Sequence, residues 1–161
     1  MQEFNSRDRL ILCIGNETGL RITDILHLKR SDVFKGNFSV TERKTKKKKN
    51  IKLSAEVIKM AKAYDKVHHI KRKHFLFINA RTGKPFTRQA IYYSFDKLEK
   101  FLKNTRITPH SMRQTYAKNI MKETKSIEKV RKALNHRSEK ITKVYLKPNR
   151  RKGKTERSIK K

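Results

Sequence analysis

Apolar residues along this chain recur mostly at helical spacing. Ile91, Phe95, Leu98 and Leu102 follow an i, i+4, i+7, i+11 rule, which puts them on one face and predicts a helix that starts at a Thr87 cap. Leu10 to Ile14 predicts a short buried helix ended at Thr18 and Gly19. Ile22, Ile25 and Leu26 predict a second that stops near Ser31 and Asp32, with Arg21 at its N-terminus. Alternation appears in one place: FSVTE and NIKL flank a lysine-rich turn and predict a hairpin entered through Gly36 and Asn37. Ser54 caps a predicted helix running to about Val67. HFLFI is short enough to be a third small strand or a buried extended connection. Three more helices are expected after caps at Thr108 (with Pro109 in first position), Ser126 and Ser138, the last including Tyr145. The expected fold class is α+β, mainly helical, with one small antiparallel sheet.

One of these helices breaks its own pattern. At about 100° per residue, Met112, Tyr116, Ala117, Ile120 and Met121 share one arc of the segment after Thr108, and Gln114, Thr115, Lys118 and Asn119 share the opposite one. Arg113 falls near the middle of the apolar arc and His110 toward its edge. A guanidinium buried without a partner is costly, so Arg113 needs a carboxylate, backbone carbonyls or an anion that arrives with a ligand. The same His-x-x-Arg spacing recurs from His69 to Arg72, but inside HHIKRKH, with neither cap nor apolar face, where it reads as solvated surface.

Charge turns the question toward a ligand. The chain of 161 residues, a size suited to one domain, carries 44 Lys and Arg against 14 Asp and Glu, a formal net charge of +30. Such an excess opposes compaction unless a polyanion shares the field, and nucleic acid is the first partner it implies. No stretch approaches the roughly 18 apolar residues needed to span a bilayer, and MQEFNSRDR has no signal-peptide core, so a soluble, cytoplasmic protein without a membrane partner is expected. The single cysteine, Cys13, lies in the apolar run LILCI and reads as a small core residue. None of the six histidines stands at HExxH spacing, and NARTGKPFT lacks the first glycine of a phosphate loop. Neither a metal site, a cofactor nor nucleotide hydrolysis is expected. The segment from Lys147 to Lys161 holds eight basic residues and one acid, and is expected to be mobile until it meets DNA or another subunit.

Taken in order, TGLRITDILHLKRSD, ERKTKKKKNIKL, TPHSMRQTYA and LNHRSEKITKVYL resemble the catalytic domain of the tyrosine recombinase, or phage integrase, family. The resemblance runs from about residue 8 to 146. It implies a catalytic domain over residues 1–146, a basic tail over 147–161, and the absence of the separate N-terminal core-binding domain. It also implies a site: the family's first arginine falls on Arg21, its hairpin lysine on Lys44, its His-x-x-Arg pair on His110 and Arg113, its late histidine on His136 and its nucleophile on Tyr145. Asp24 takes the place of a supporting acid. Five lysines occupy the six positions from 44 to 49, so Lys46 or a neighbour could replace Lys44 as the acid. Lys46, Lys47, Lys48, Lys49 and Arg137 are expected to contact DNA. The family usually has glycine where Asn135 stands, and asparagine is among the few residues that tolerate the left-handed conformation such a turn needs.

What the resemblance implies chemically is metal- and ATP-independent cleavage and rejoining of double-stranded DNA through a 3′-phosphotyrosine. Arg21 and Arg113 would stabilise the spread negative charge of the transition state, His110 would take the tyrosine proton and Lys44 would protonate the leaving 5′-oxygen. His136 would donate to the phosphate or position its neighbours. Recombinases of this kind work as four protomers on DNA, and a monomer is expected in free solution. The alternatives are relaxation of supercoils by a type IB topoisomerase, which uses a similar tyrosine, and a non-catalytic basic DNA-binding module.

Overall fold

The computed structural model describes residues 5–70, 74–101 and 107–147. Leu102, Arg72 and the segment from 148 onward, which holds nearly all of the expected mobile tail, lie outside the described residues.

Helix α1 (Ser6–Thr18) is capped by Asn5, whose side chain accepts from the Arg7 amide, and ends at Gly19 with φ 60°. That left-handed turn delivers Arg21 to the start of α2 (Ile22–Ile25). The expected single helix from Ile22 to Ser31 and Asp32 is two helices: α2 stops at Ile25, and Arg30–Lys35 forms a separate α3 that spans Ser31 and Asp32. The break comes from a distant segment. The Leu76 amide donates to Leu28 O (2.8 Å) and the Arg30 amide to His74 O (3.1 Å), so the backbone here is committed to an extended partner. The HFLFI stretch is that partner, an extended connection with isolated bridges from Phe75 to Lys29 and from Ile78 to Pro85.

Strands β1 (Asn37–Thr41) and β2 (Lys48–Lys52) form the antiparallel hairpin, with Phe38 opposite Ile51 and Val40 opposite Lys49. Helix α4 (Ala55–His68) follows its Ser54 cap, α5 (Arg88–Phe101) follows Thr87, and α6 (Pro109–Thr124) begins in a reciprocal capping box between Thr108 and Ser111. Helices α7 (Ile127–Ala133) and α8 (Glu139–Leu146) start at Ser126 and Ser138 as expected. Asn135, between them, has φ 54°, the left-handed conformation anticipated for it.

Two apolar clusters hold these elements. The larger gathers Leu10, Ile14, Leu20 and Ile25 with Ala61, Phe77, Ile91 and Phe95; the smaller centres on Ala117, Val130 and Leu134, with Tyr116 and Tyr145 against it. Helix α6 enters both, through Met112 into the first and Ala117 into the second. Because α6 packs against α1 as well as α7 and α8, Gln114, expected on its outward arc, is buried instead; Thr115, Lys118 and Asn119 face solvent as expected. Among the described residues no helix is long and apolar enough to cross a membrane.

Gly19 joins the clusters to the candidate site. A Cβ there would lie 2.2 Å from Tyr116 Cδ1, on a backbone with φ 60°. Gly19→Ala is expected to lower the unfolding free energy by about 2–5 kcal/mol, from left-handed strain plus overpacking, as read from urea denaturation; a loss under about 0.5 kcal/mol, the range of neutral surface changes, would contradict this packing.

Candidate active site

Arg113, one turn into α6, points into the seam between the clusters and is 4% exposed. One terminal nitrogen, Nη1, donates to Gly19 O, and the other, Nη2, donates to Leu134 O at 3.1 Å. Glu42 Oε1 lies 4.0 Å from Nη1. Of the partners the sequence left open, backbone carbonyls and a carboxylate are both present. Burial first, then the positive charge of Arg21, brings the Arg113 guanidinium below the ordinary arginine value, while Tyr145 and Glu42 pull the other way.

Glu42 is the residue that sequence reasoning missed. It is fully buried at the end of β1, and its Oε2 accepts from Arg21 Nη1 (2.9 Å) and from the Thr45 hydroxyl (2.6 Å). Burial pushes its carboxyl up, but the Thr45 hydroxyl and Arg21 together hold it below the usual range, so it stays an anion between two arginines. A signal existed: Glu42 stands at the close of a strand whose next seven residues contain six bases. Asp24, also buried, accepts from the Arg43 amide at 3.0 Å and so fastens the hairpin turn to α2; burial raises its pKa, with that amide opposing.

Arg21, Lys44, His110, Arg113 and Tyr145 line one open cleft of about 450 Å³, together with Thr23, Arg43 and, from α5, Arg88 and Tyr92. The sequence did not single out Arg88 and Tyr92, which reach the cleft only through the packing of α5. Tyr145 is half-buried, with its ring centroid 4.7 Å from that of His110 and 4.7 Å from that of His136. His110 is exposed at the start of α6, whereas His136 is buried, its Nδ1 3.1 Å from Thr142 Oγ1. Arg131 straps the turn that carries it, donating to His136 O at 3.2 Å while accepting the His136 amide on its own carbonyl at 3.1 Å.

The structure therefore brings together all six residues matched to the family's site. The lysines proposed for DNA divide. Lys46, Lys47 and Lys48 are exposed on the hairpin, Lys46 with φ 58°, and Arg137 is exposed beside His136. Lys49 is turned inward, its Nζ donating to Thr18 O (2.6 Å) and Ala133 O (2.7 Å), and its outward role is corrected by this geometry. Among the described residues no group of three or more His, Cys, Asp or Glu side chains is placed to hold a metal ion. Chemically, the cleft offers the guanidiniums of Arg21, Arg43, Arg88 and Arg113, the Lys44 ammonium, the His110 imidazole and the Tyr145 phenol, with the His136 ring packed against that phenol.

The family model described as the phage integrase family matches residues 1–152. The Bacillus subtilis protein named "Probable integrase/recombinase YoeC" is 34% identical over 143 residues, covering 88% of this chain and 78% of that protein. The tyrosine recombinase XerC of Chlamydia caviae is 29% identical over 147 residues, 86% of this chain but 46% of its own length. Among solved structures, the XerA recombinase superposes with a TM-score of 0.72 at 23% identity, covering 90% of this chain and 53% of that one. A lambda integrase fragment, in a dimer bound to a core site, gives 0.70 at 22%, covering 93% and 55%. These last two share the fold. The chain spans about half the length of most of these relatives.

Burial first, then the charges of Arg113 and Arg21, lower His136 from the ordinary 6.5 to about 4, against the pull of Glu42. Between those values the unfolded chain binds a proton that the folded one does not, so this contribution to stability is complete above pH 6.5 and is lost as pH falls toward 4. Thermal melts of His136→Gln should show a smaller fall in Tm than the parent across that interval. Parallel curves for the two proteins would remove the buried, neutral imidazole.

Proposed function

Because the chain belongs to the phage integrase family, we propose that it is the catalytic portion of a DNA strand-transferase, cutting and rejoining duplex DNA at specific sites through a tyrosine-linked intermediate. The observation that carries this reading is the position of Tyr145, in contact with both imidazoles on a cleft that also presents Arg21 and Arg113.

The chemistry needs neither metal nor nucleotide. Tyr145 Oη attacks the scissile phosphorus, forming a phosphotyrosine on the 3′ side as the bond to the 5′-oxygen breaks. The phenolic proton passes to His110, and the departing oxygen takes one from Lys44, whose exposed side chain borders the cleft. Arg21 and Arg113 bear on the non-bridging oxygens, where the transition state gathers charge. Neutral His136 donates from Nε2 when Thr142 supplies the hydrogen bond to Nδ1. Since the phosphodiester energy is retained in the new ester, a 5′-hydroxyl from a second cut strand reverses the step and completes strand exchange. Double-stranded DNA is the partner, drawn by the net charge of +30. The exposed Lys46, Lys47, Lys48 and Arg137 contact its backbone. Four protomers assemble on two duplexes, each monomeric in free solution.

A nicked suicide duplex, which loses its 5′-hydroxyl fragment after cleavage, tests the assignment. The chain is expected to form a denaturant-resistant covalent complex, and Tyr145→Phe to reduce it by about a thousandfold or more. A parent chain that binds this DNA without ever becoming attached would reduce it to a basic binding module, and a Phe variant that still attaches would move the nucleophile elsewhere.

A further inference from the structure

Two cations bridge the same pair of turns. Arg113 joins Gly19 O to Leu134 O, and Lys49, one residue back on each side, joins Thr18 O to Ala133 O. Thr18 and Ala133 are the last residues of α1 and α7. Their carbonyls belong to the last turn, where acceptors lack helical partners and the helix dipole favours a positive charge. The Lys49 ammonium also lies 4.7 Å from the centroid of the Tyr116 ring, against the α6 face behind the cleft. Both bridged turns lead directly into site residues: Gly19 and Leu20 into Arg21, and Leu134 and Asn135 into His136.

We propose that Lys49 is a positioning residue of the strand-transfer site, tying the turn before Arg21 to the turn before His136 and so setting the spacing of both about Arg113. This rests on the strand-transfer reading above. Lys49 is not among the residues lining the cleft and touches no reacting group. The groups that face it are Arg113 and Arg21, which repel its charge, Glu42, which attracts it, the Tyr116 ring, and the two helix-end carbonyls. Burial first, then Arg113, lower its pKa from the ordinary 10.5 to about 8, with Glu42 opposing, so it is a cation at neutral pH. An exposed lysine, like the three before it in sequence, keeps the rotamer freedom that this one has surrendered. Two carbonyl bonds and an aromatic face are what hold it inward.

The test compares the parent with Lys49→Met, which keeps the stem and removes the ammonium, and with Lys49→Arg, which restores charge and donors. In the free chain, amide hydrogen exchange over residues 18–21 and 133–137 should accelerate about tenfold in the Met variant, with α4 unchanged, as expected when a charge-assisted hydrogen bond is lost. On nicked DNA at saturating concentration, the Met variant should form the covalent complex about ten- to a hundredfold more slowly, with DNA affinity within about threefold of the parent; the Arg variant should recover most of the rate. Unchanged exchange at both turns, or a Met variant that cleaves as fast as the parent, overturns the proposal. A parent that forms no covalent complex defeats the strand-transfer reading instead, and the exchange rates of the free chain still decide whether Lys49 holds the two turns.

Discussion

The buried guanidinium of Arg113 is the constraint around which the rest is arranged. A cation in the seam between two apolar clusters is sustained only by compensating partners, and the fold supplies them from three separate parts of the chain: a carbonyl acceptor from the turn after α1, a second from the turn after α7, and the Glu42 carboxylate, 4.0 Å away, from the end of β1. Each supplier is then held to its place by the same set of contacts. Gly19 must be glycine for its turn to lie against Tyr116, Asn135 must accept a left-handed backbone, and Glu42 must remain ionised in full burial. Removing any one of them changes the position of Arg113 and with it the shape of the cleft.

The same arrangement sets the electrostatics. Arg21, Arg113 and Lys49 crowd three positive charges around the buried carboxylate of Glu42, with Asp24 the other buried acid that faces the two arginines, leaving an excess that an anion in the cleft would relieve. Burial first, then the charges of Arg113 and Arg21, keep His136 neutral at physiological pH, which leaves it a hydrogen-bonding group rather than a fourth cation. Tyr145 stands where that excess meets solvent, between one exposed imidazole and one buried one. On the proposed reading, a phosphate at this point would exchange water for donors whose positions are already fixed, which is how a preorganised site lowers a barrier.

Much of this was legible in the sequence because it depends on local signals. The caps at Ser54, Thr87, Thr108, Ser126 and Ser138 begin helices where side-chain acceptors predict them, and Arg113 on an apolar arc announced a buried charge in need of partners. What escaped depends on distant pairing. The break between α2 and α3 is imposed by residues 74–76, and Gln114 is buried because α6 is packed on more than one side. Arg88 and Tyr92 reach the cleft through the docking of α5. Lys49 is the instructive case. In β2 it shares a face with Ile51, two residues on, and strand alternation alone separates it from its exposed neighbours Lys48 and Asn50. Within a run of lysines that parity is easily passed over.

The central claim is that the carbonyl-pinned Arg113, Arg21, His136 and Tyr145 together form one phosphate site. A crystal structure of the chain with a nicked duplex and orthovanadate, which mimics the pentavalent phosphorus of the transition state, addresses this most directly. The expected result is vanadium bonded to Tyr145 Oη and to a DNA 5′-oxygen on the opposite side, with both arginines and His136 at hydrogen-bond distance from its equatorial oxygens. Vanadate bound away from Tyr145, or a cleft in which Arg113 has left the Gly19 and Leu134 carbonyls to reach it, would contradict the claim.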